Sequence, residues 1–419
     1  MRWWKSSIMK EKGEKNLSTE PYKGVRDFYP ESQSIQNYIT DVWKATVESF
    51  GYQEYNASIL EPSDLYRAKT GEEIVNEQTY TFTDRGDREV TLRPEMTPTV
   101  ARMIAKKRKE LSFPLRWYST PNLFRYERPQ RGRLREHTQL NVDFFGIDTI
   151  DAEIELISIA STLLTNFGMS PEQFEIRIND RAGMSKAFSE MGLSDDQTYK
   201  MYKLLDRKKK IDNFDEEAEK IIGAPLDLSK VKSIAVTKLI RQLNEIGITN
   251  VKYDPSIIRG FDYYTGIIFE VFDTSSENNR SLFGGGRYDN LLDIFGVDPV
   301  PTVGFGMGDV TIRDVLDTYG LLPEVISTTD LSICVTKPEY RDFATLLAKD
   351  VRAQGVNVSV NYSNKKVGDQ IRYADNKKIP YITCIGDDEV KGETFKIKEL
   401  ATGKETEVTR NTVTEAFVE

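Results

Sequence analysis

Apolar residues recur at helical spacing after Ser32. Ile35, Tyr38, Ile39, Val42, Trp43, Thr46, Val47 and Phe50 repeat every three or four positions, and Gly51 is a natural stop, which predicts one long amphipathic helix over Ser32–Gly51. Gln53–Leu60 reads as a strand that ends at Glu61-Pro62. Tyr80–Thr91 alternates around an Asp84-Arg85-Gly86-Asp87 turn and predicts a hairpin. In TLRPEMTPTVARMIAK, Pro94 and Pro98 open a helix, with Thr97 as its cap and Glu95 on the loop before it. Leu123–Gly146 predicts two strands joined by a basic loop, Arg128–Arg135. In the second strand Leu140, Val142 and Phe144 share one face, and Gln139, Asn141 and Asp143 the other.

A helix over Ile150–Phe167 stops at Gly168, and Phe174–Ile178 is strand-like. From Asp180 to Ile248 the pattern is helical and charged, as expected of an insertion between strands. Strands resume at Val251–Tyr253 and Arg259–Phe272. In the second, strict alternation puts Asp262, Tyr264 and Gly266 on one face, and Tyr263, Ile267 and Phe269 on the other. GGGRYD (284–289) is glycine-rich without a nucleotide-binding spacing. VGFGMG (303–308) alternates glycines along a strand, which predicts a bare surface that something flat can approach. A helix follows over Asp309–Tyr319. Beyond residue 325, strands at Leu331–Thr336, Val356–Asn361, Tyr381–Ile385, Thr394–Glu399 and Glu405–Val408 alternate with helices at Tyr340–Gly355 and Lys366–Asn376. That pattern predicts a small three-layer α/β domain.

Length and composition narrow the class. A chain of 419 residues holds several domains, and no apolar run is long enough to span a membrane. The N-terminal MRWWKSSIMKEKGEK lacks the apolar core of a secretory signal and reads as a flexible tail over residues 1–20. Two cysteines and one histidine, His137, exclude a disulfide framework, a structural zinc site and a multi-histidine metal centre. No residue is therefore assigned as a metal ligand, and the expected compartment is reducing cytoplasm. A net charge of −9 argues against generic nucleic-acid coating, though basic patches exist at Arg125–Arg135 and Arg207–Lys210.

The loop Arg128–Arg135 supplies Arg128, Arg131, Arg133 and Arg135 beside a strand face bearing Gln139 and Asp143. Guanidinium groups next to an amide and a carboxylate suit a polyphosphate lying beside a polar small molecule. LRPEMT, FRYERPQRGRLREHTQ, RGFDYYTG, GGGRYD and VGFGMG occur in that order, followed by the small α/β domain. Together they resemble histidyl-tRNA synthetase, a class II aminoacyl-tRNA synthetase. RGFDYYTG resembles the histidine-specific signature, FRYERPQRGR motif 2, VGFGMG motif 3, and the Ser32–Pro62 helix and strand motif 1.

The resemblance implies an α+β fold: a class II antiparallel sheet flanked by helices, a helical insertion, and a C-terminal anticodon-binding domain. The boundaries it suggests are 21–179 and 251–324 for the two parts of the catalytic core, 180–250 for the insertion and 325–419 for the last domain. It implies ligation of L-histidine to tRNA(His) through a histidyl-adenylate, with ATP as substrate, Mg²⁺ bridging its phosphates, and a homodimer built on motif 1. By motif position Arg125 and Arg259 flank the α-phosphate as catalytic groups, and Arg133, Gly306 and Gly308 also belong to the ATP site. Glu95, Thr97 and Gln139 match the groups that hold the α-ammonium of histidine. Tyr264 and Asp143 match those that read its ring nitrogens, and Tyr288 lines the ring pocket. Arg128, Gln130 and Arg135 would touch the tRNA acceptor end, Arg207–Lys210 could brace the acceptor stem, and His137 receives no catalytic role.

Two positions depart from the family pattern. Asp143 stands where many members carry Glu. Thr311 stands where motif 3 commonly has an arginine packed over ATP. Arg313 lies two residues further, about 200° round a helix, and so faces elsewhere. The alternative to an enzyme is a non-catalytic, histidine-binding regulatory paralogue of the synthetase, a class that usually lacks the C-terminal domain.

Overall fold

The first helix forms where its apolar repeat predicts it: α1 (Pro30–Ser49) opens on a proline in its first turn and buries Ile39, Trp43 and Val47. The computed structural model describes residues 17–67, 78–208, 211–228, 231–259, 263–275, 281–392 and 394–417. Next in order come β1 (Gln53–Glu54), β2 (Leu60–Pro62), α2 (Ser63–Arg67), β3 (Tyr80–Thr83), β4 (Glu89–Leu92) and α3 (Thr97–Lys107). They are followed by β5 (Leu115–Ser119), β6 (Asn122–Phe124), β7 (Glu136–Phe145), α4 (Asp151–Asn166) and β8 (Phe174–Asp180). Then come α5 (Arg181–Glu190), α6 (Asp195–Asp206), α7 (Phe214–Ile222), α8 (Ile234–Glu245) and β9 (Val251–Tyr253). Strands β10 (Ile267–Asp273), β11 (Ser281–Arg287) and β12 (Thr302–Gly308) lead into α9 (Asp309–Thr318).

The main sheet runs β1-β5-β7-β12-β11-β10-β8-β9, with β6 also paired to β7. Its central pairs are antiparallel, and β1 and β9 join the two ends in parallel. Helices α1, α4, α8 and α9 cover one face, where Leu140, Val142 and Phe144 of β7 meet Trp43, Leu156, Leu239 and Ile312. The other face carries α3 and a second cluster that includes Phe145, Tyr263, Tyr264, Ile268 and Tyr288. Helices α5–α7 have a core of their own around Met184, Phe188, Met201 and Phe214. In contrast, Val236, Leu239 and Leu243 of α8 lie in the main core, so the helical stretch expected over 180–250 is not one block.

Three local expectations are corrected. Gln53–Leu60 is not a single strand. β1 belongs to the main sheet, whereas β2 pairs with β4 in a separate three-stranded sheet. Between them Asn56 Oδ1 accepts from Ala57 N–H and Ser58 Oγ from Leu60 N–H, local bonds that compete with a ladder. Thr97 is the first residue of α3 rather than its cap, which is Met96. Strand β10 begins only at Ile267, so the alternation read over Arg259–Phe272 fails at its start. Asp262, Lys209, Lys210 and the tail before residue 17 lie outside the described residues.

Contacts divide the chain into two units that part between Leu322 and Pro323. The second contains β13 (Leu331–Val335), α10 (Arg341–Arg352), β14 (Val358–Val360), α11 (Val367–Asn376), β15 (Tyr381–Ile385), α12 (Asp387–Lys391), β16 (Thr394–Glu399) and β17 (Glu405–Thr409). Its sheet order is β14-β13-β15-β16-β17, parallel across the first three strands. Ala344, Leu347 and Val351 of α10 pack with Leu331 and Ile333, while Ala374 of α11 packs with Ile382, which alternates to the opposite face. Among the described residues no helix is long and apolar enough to cross a membrane.

Candidate active site

The polar face of β7 is fitted against glycines. Asp143, Asn141 and Gln139 pair in register with Gly304, Gly306 and Gly308 of β12. A methyl group on Gly304 would strike Asp143 Oδ1 and the Tyr288 hydroxyl and come within 2.9 Å of Val142 O. One on Gly306 would meet Gln139 Cδ at 2.9 Å, whereas at Gly308 the nearest atom is 3.8 Å away. The alternating glycines at 304 and 306 therefore make room for side chains of the neighbouring strand. They do not leave the bare surface that the sequence suggested.

Above this part of the sheet lies a cavity walled by Glu95, Thr97, Gln139, Asp143, Tyr264 and Tyr288, with Tyr263 beside them. Asp143 is 3% exposed and accepts a hydrogen bond from the Tyr288 hydroxyl. Burial pushes its pKa up to about 7, against the pull of the Tyr288 and Tyr55 hydroxyls. Three tyrosine rings close the box: centroids are 4.8 Å apart for Tyr263–Tyr264, 5.5 Å for Tyr263–Tyr288 and 6.2 Å for Tyr264–Tyr288. Glu95, buried on the loop before α3, accepts from the Tyr263 hydroxyl at 3.4 Å. That loop is anchored by Arg93, which donates to Asn122 O and Ala57 O. Tyr288 is anchored in turn by Arg287, which grips Glu153 through Nε and Nη2 at 2.6 and 2.7 Å.

A second, larger cavity adjoins the first. Arg133, His137, Phe283, Gly308 and Thr311 line it, with two carboxylates, Glu127 and Glu270. Arg125, Arg259, Gln139 and Gly306 line both cavities. Arg125 is steadied by donating from Nε to Pro94 O at 2.8 Å. Arg259 lies 3.6 Å from Glu270 and over the Tyr264 ring at 5.6 Å, and its Nε is buried without a partner among the described residues. Burial works against its charge, but Tyr264 and Glu270 more than offset this. A methyl on Gly284 would collide with the Arg259 guanidinium and Phe269 O, so this glycine gives the arginine its place. His137 is pulled down to about 3 by burial, reinforced by Arg125 and Arg26, and is a neutral imidazole.

The basic loop between β6 and β7 divides by environment. Arg128 and Gln130 are exposed. Arg133 is 3.4 Å from Glu127. Arg135 is not part of the exposed tip. It is 9% exposed, donates to Glu127 O and the Tyr22 hydroxyl, and lies over the Tyr126 ring at 3.9 Å. Arg313 lines neither cavity. Thr311 spends its hydroxyl on Leu282 O and Gly308 O, both at 3.0 Å. Among the described residues no group of three or more His, Cys, Asp or Glu side chains could hold a metal.

The model of the family described as histidyl-tRNA synthetase matches residues 24–220 and 212–310, and that of an anticodon-binding domain matches residues 330–419. A histidine–tRNA ligase from Leptospira biflexa is 43% identical over 413 residues, 93% of this chain and 94% of that one. The chain belongs to the histidyl-tRNA synthetase family. A histidine–tRNA ligase from Thermoplasma volcanium is 36% identical over 419 residues, covering 94% of this chain and 97% of its own. A crystal structure of histidyl-tRNA synthetase from Nostoc shares the fold, with a TM-score of 0.78 and 21% identity over 96% of this chain and 99% of that one.

Within this histidyl-tRNA synthetase fold, sequence reasoning missed several groups. Extending the alternation of β10 backwards sets Tyr263 on the face opposite Tyr264, yet both line the smaller cavity. Arg287 and Glu153 are 134 positions apart and carry no local signal of their pairing. Glu127 and Glu270 read as ordinary charged residues until the sheet brings them to one cavity.

Proposed function

We infer that the chain ligates L-histidine to tRNA(His) in two steps, through a histidyl-adenylate, consuming ATP and releasing diphosphate and AMP. The observation that carries this reading is the sharing of Arg125 and Arg259 by the smaller and larger cavities. Histidine in the smaller cavity and ATP in the larger would bring carboxylate and α-phosphate together between these two cations. The carboxylate oxygen attacks the α-phosphorus in line and diphosphate leaves. Negative charge gathers on the equatorial oxygens, where fixed guanidinium groups stabilise it, and no protein nucleophile is required.

In the smaller cavity Tyr264 and Asp143 would read the two ring nitrogens, with Tyr288 behind Asp143. Glu95, Thr97 and Gln139 would hold the α-ammonium. The shorter Asp143 suits a pocket that Tyr288 and Gly304 close from behind. In the larger cavity Arg133 would reach the outer phosphates, beside the backbone at Gly306 and Gly308. Glu127 and Glu270 are fit to hold a Mg²⁺ ion carried in with ATP, which would neutralise phosphate charge.

In the second step a ribose hydroxyl of the terminal adenosine attacks the adenylate carbonyl and AMP leaves. Arg128 and Gln130, exposed at the loop, are suited to the acceptor end, whereas Arg135 is already engaged. The C-terminal unit would bind the anticodon, and its match to an anticodon-binding model speaks against the regulatory paralogue. We further propose a cytoplasmic homodimer assembled through α1 and the strands that follow it.

The test is histidine-dependent ATP–diphosphate exchange by the purified chain. Arg259→Ala is expected to lower its rate by about 10²–10³. Histidine binding with no exchange in the wild type would overturn the reading.

A further inference from the structure

We propose that Arg131 is a positioning residue for ATP, latching the β6–β7 loop onto α9 in place of the arginine that Thr311 replaces. The proposal rests on the larger cavity being the ATP site. Arg131 Nε donates to both carboxylate oxygens of Asp314, at 2.8 and 2.9 Å, and Nη2 reaches Thr318 Oγ1 at 3.3 Å. Thr311, Asp314 and Thr318 are spaced three and four residues apart and form one stripe along α9. The loop tip therefore lies along the stripe that would carry the motif 3 arginine.

The next residue sets the shape of the tip. Gly132 has φ +75°, a left-handed conformation that other residues rarely adopt. It turns the chain back so that Gln130 and Arg133 exchange backbone hydrogen bonds at 2.9 and 3.1 Å. A methyl on Gly132 would lie 3.6 Å from Thr311 Cγ2. The tip thus lies beside the threonine. Arg133, one residue beyond the turn, lines the cavity together with Gly132 and Thr311. A loop cation stands where the helix offers none, and the Arg131–Asp314 pair fixes it there. Both partners are partly solvated, with side chains 56% and 27% exposed, so the expected effect is modest.

In histidine-dependent exchange, Arg131→Ala and Asp314→Ala should each raise the KM for ATP about two- to fivefold. The kcat and the KM for histidine should stay unchanged. The exchanged pair, Arg131→Asp with Asp314→Arg, should restore the KM for ATP. An unchanged KM in both single variants, or no recovery in the exchanged pair, overturns the latch.

Limited trypsin cleavage of the full chain after Arg131 and Arg133 reads the loop without ATP. Asp314→Ala should be cut there faster than the wild type, and equal rates overturn the docking itself. Faster cutting of Asp314→Ala, with no exchange in the wild type, instead removes the ATP role. That outcome marks failure of the functional reading on which the proposal rests.

Discussion

The two cavities share arginines yet are walled by different physics. Around the smaller one the polar groups are buried and bonded to one another: Asp143 to Tyr288, Glu95 to Tyr263, and Arg287 to Glu153 behind them. Asp143 and Arg287 lie on strands of the main sheet. The larger cavity is rimmed by a loop whose Arg133 side chain is 56% exposed and whose hold on α9 is a surface ion pair. The contrast follows from what each ligand demands. A ring with two nitrogens is distinguished only by donors and acceptors fixed in a water-poor site. Phosphates need positive charge nearby, and long guanidinium side chains can bring it from more than one element. One side can therefore tolerate the loss of a motif residue that the other could not.

Selectivity is the most severe test of this difference. If Asp143 and Tyr264 read the ring, phenylalanine should support ATP–diphosphate exchange about 10⁴–10⁵ less efficiently in kcat/KM than histidine. A ratio under about 10² would mean that the ring nitrogens go unread, and that the smaller cavity is not the rigid site described. Stability comes next. Arg287→Ala leaves Glu153 buried without its guanidinium and should lower the unfolding free energy by about 3–5 kcal/mol in urea denaturation. Arg131→Ala breaks a solvated pair and should cost no more than about 1 kcal/mol. Comparable losses in the two variants would erase the distinction between buried frame and surface latch.

The same distinction explains what could be seen in the sequence. Helix α1, the two faces of β7 and the helix after VGFGMG were legible because each is a periodic pattern whose burial depends on one neighbouring layer. That Gln139 and Asp143 share a face was legible because both lie on such a strand. Tyr263 was not, because the period of a strand holds only where the ladder exists, and β10 starts at Ile267. Arg135 looked like one more loop cation, yet Tyr22 and Tyr126, from different parts of the chain, bury it. The Thr311 gap was visible from the motif. The tip docked on it was not, since the Arg131–Asp314 contact spans 183 positions.

The two cavities should also respond to pH with opposite sign. Asp143 has its folded pKa raised from 3.8 to about 7. Between those values the folded state holds the extra proton, so stability falls as pH rises and the contribution is lost as pH passes about 7. His137 has its folded pKa lowered from 6.5 to about 3. There the unfolded state holds the extra proton, so stability rises with pH and is lost as pH falls from about 6.5 towards 3. Removing each titration should tilt the curve in its own direction. Relative to wild type, Asp143→Asn should gain stability as pH is raised from 4 to 7, by at most about 4 kcal/mol. His137→Gln should gain as pH is lowered over the same range, by less, because that range stops short of its folded pKa of about 3. Urea midpoints at pH 4, 5, 6 and 7 check both. Parallel curves for the two variants would mean that neither cavity imposes its environment on its titratable group, and the contrast between them would rest on the loop alone.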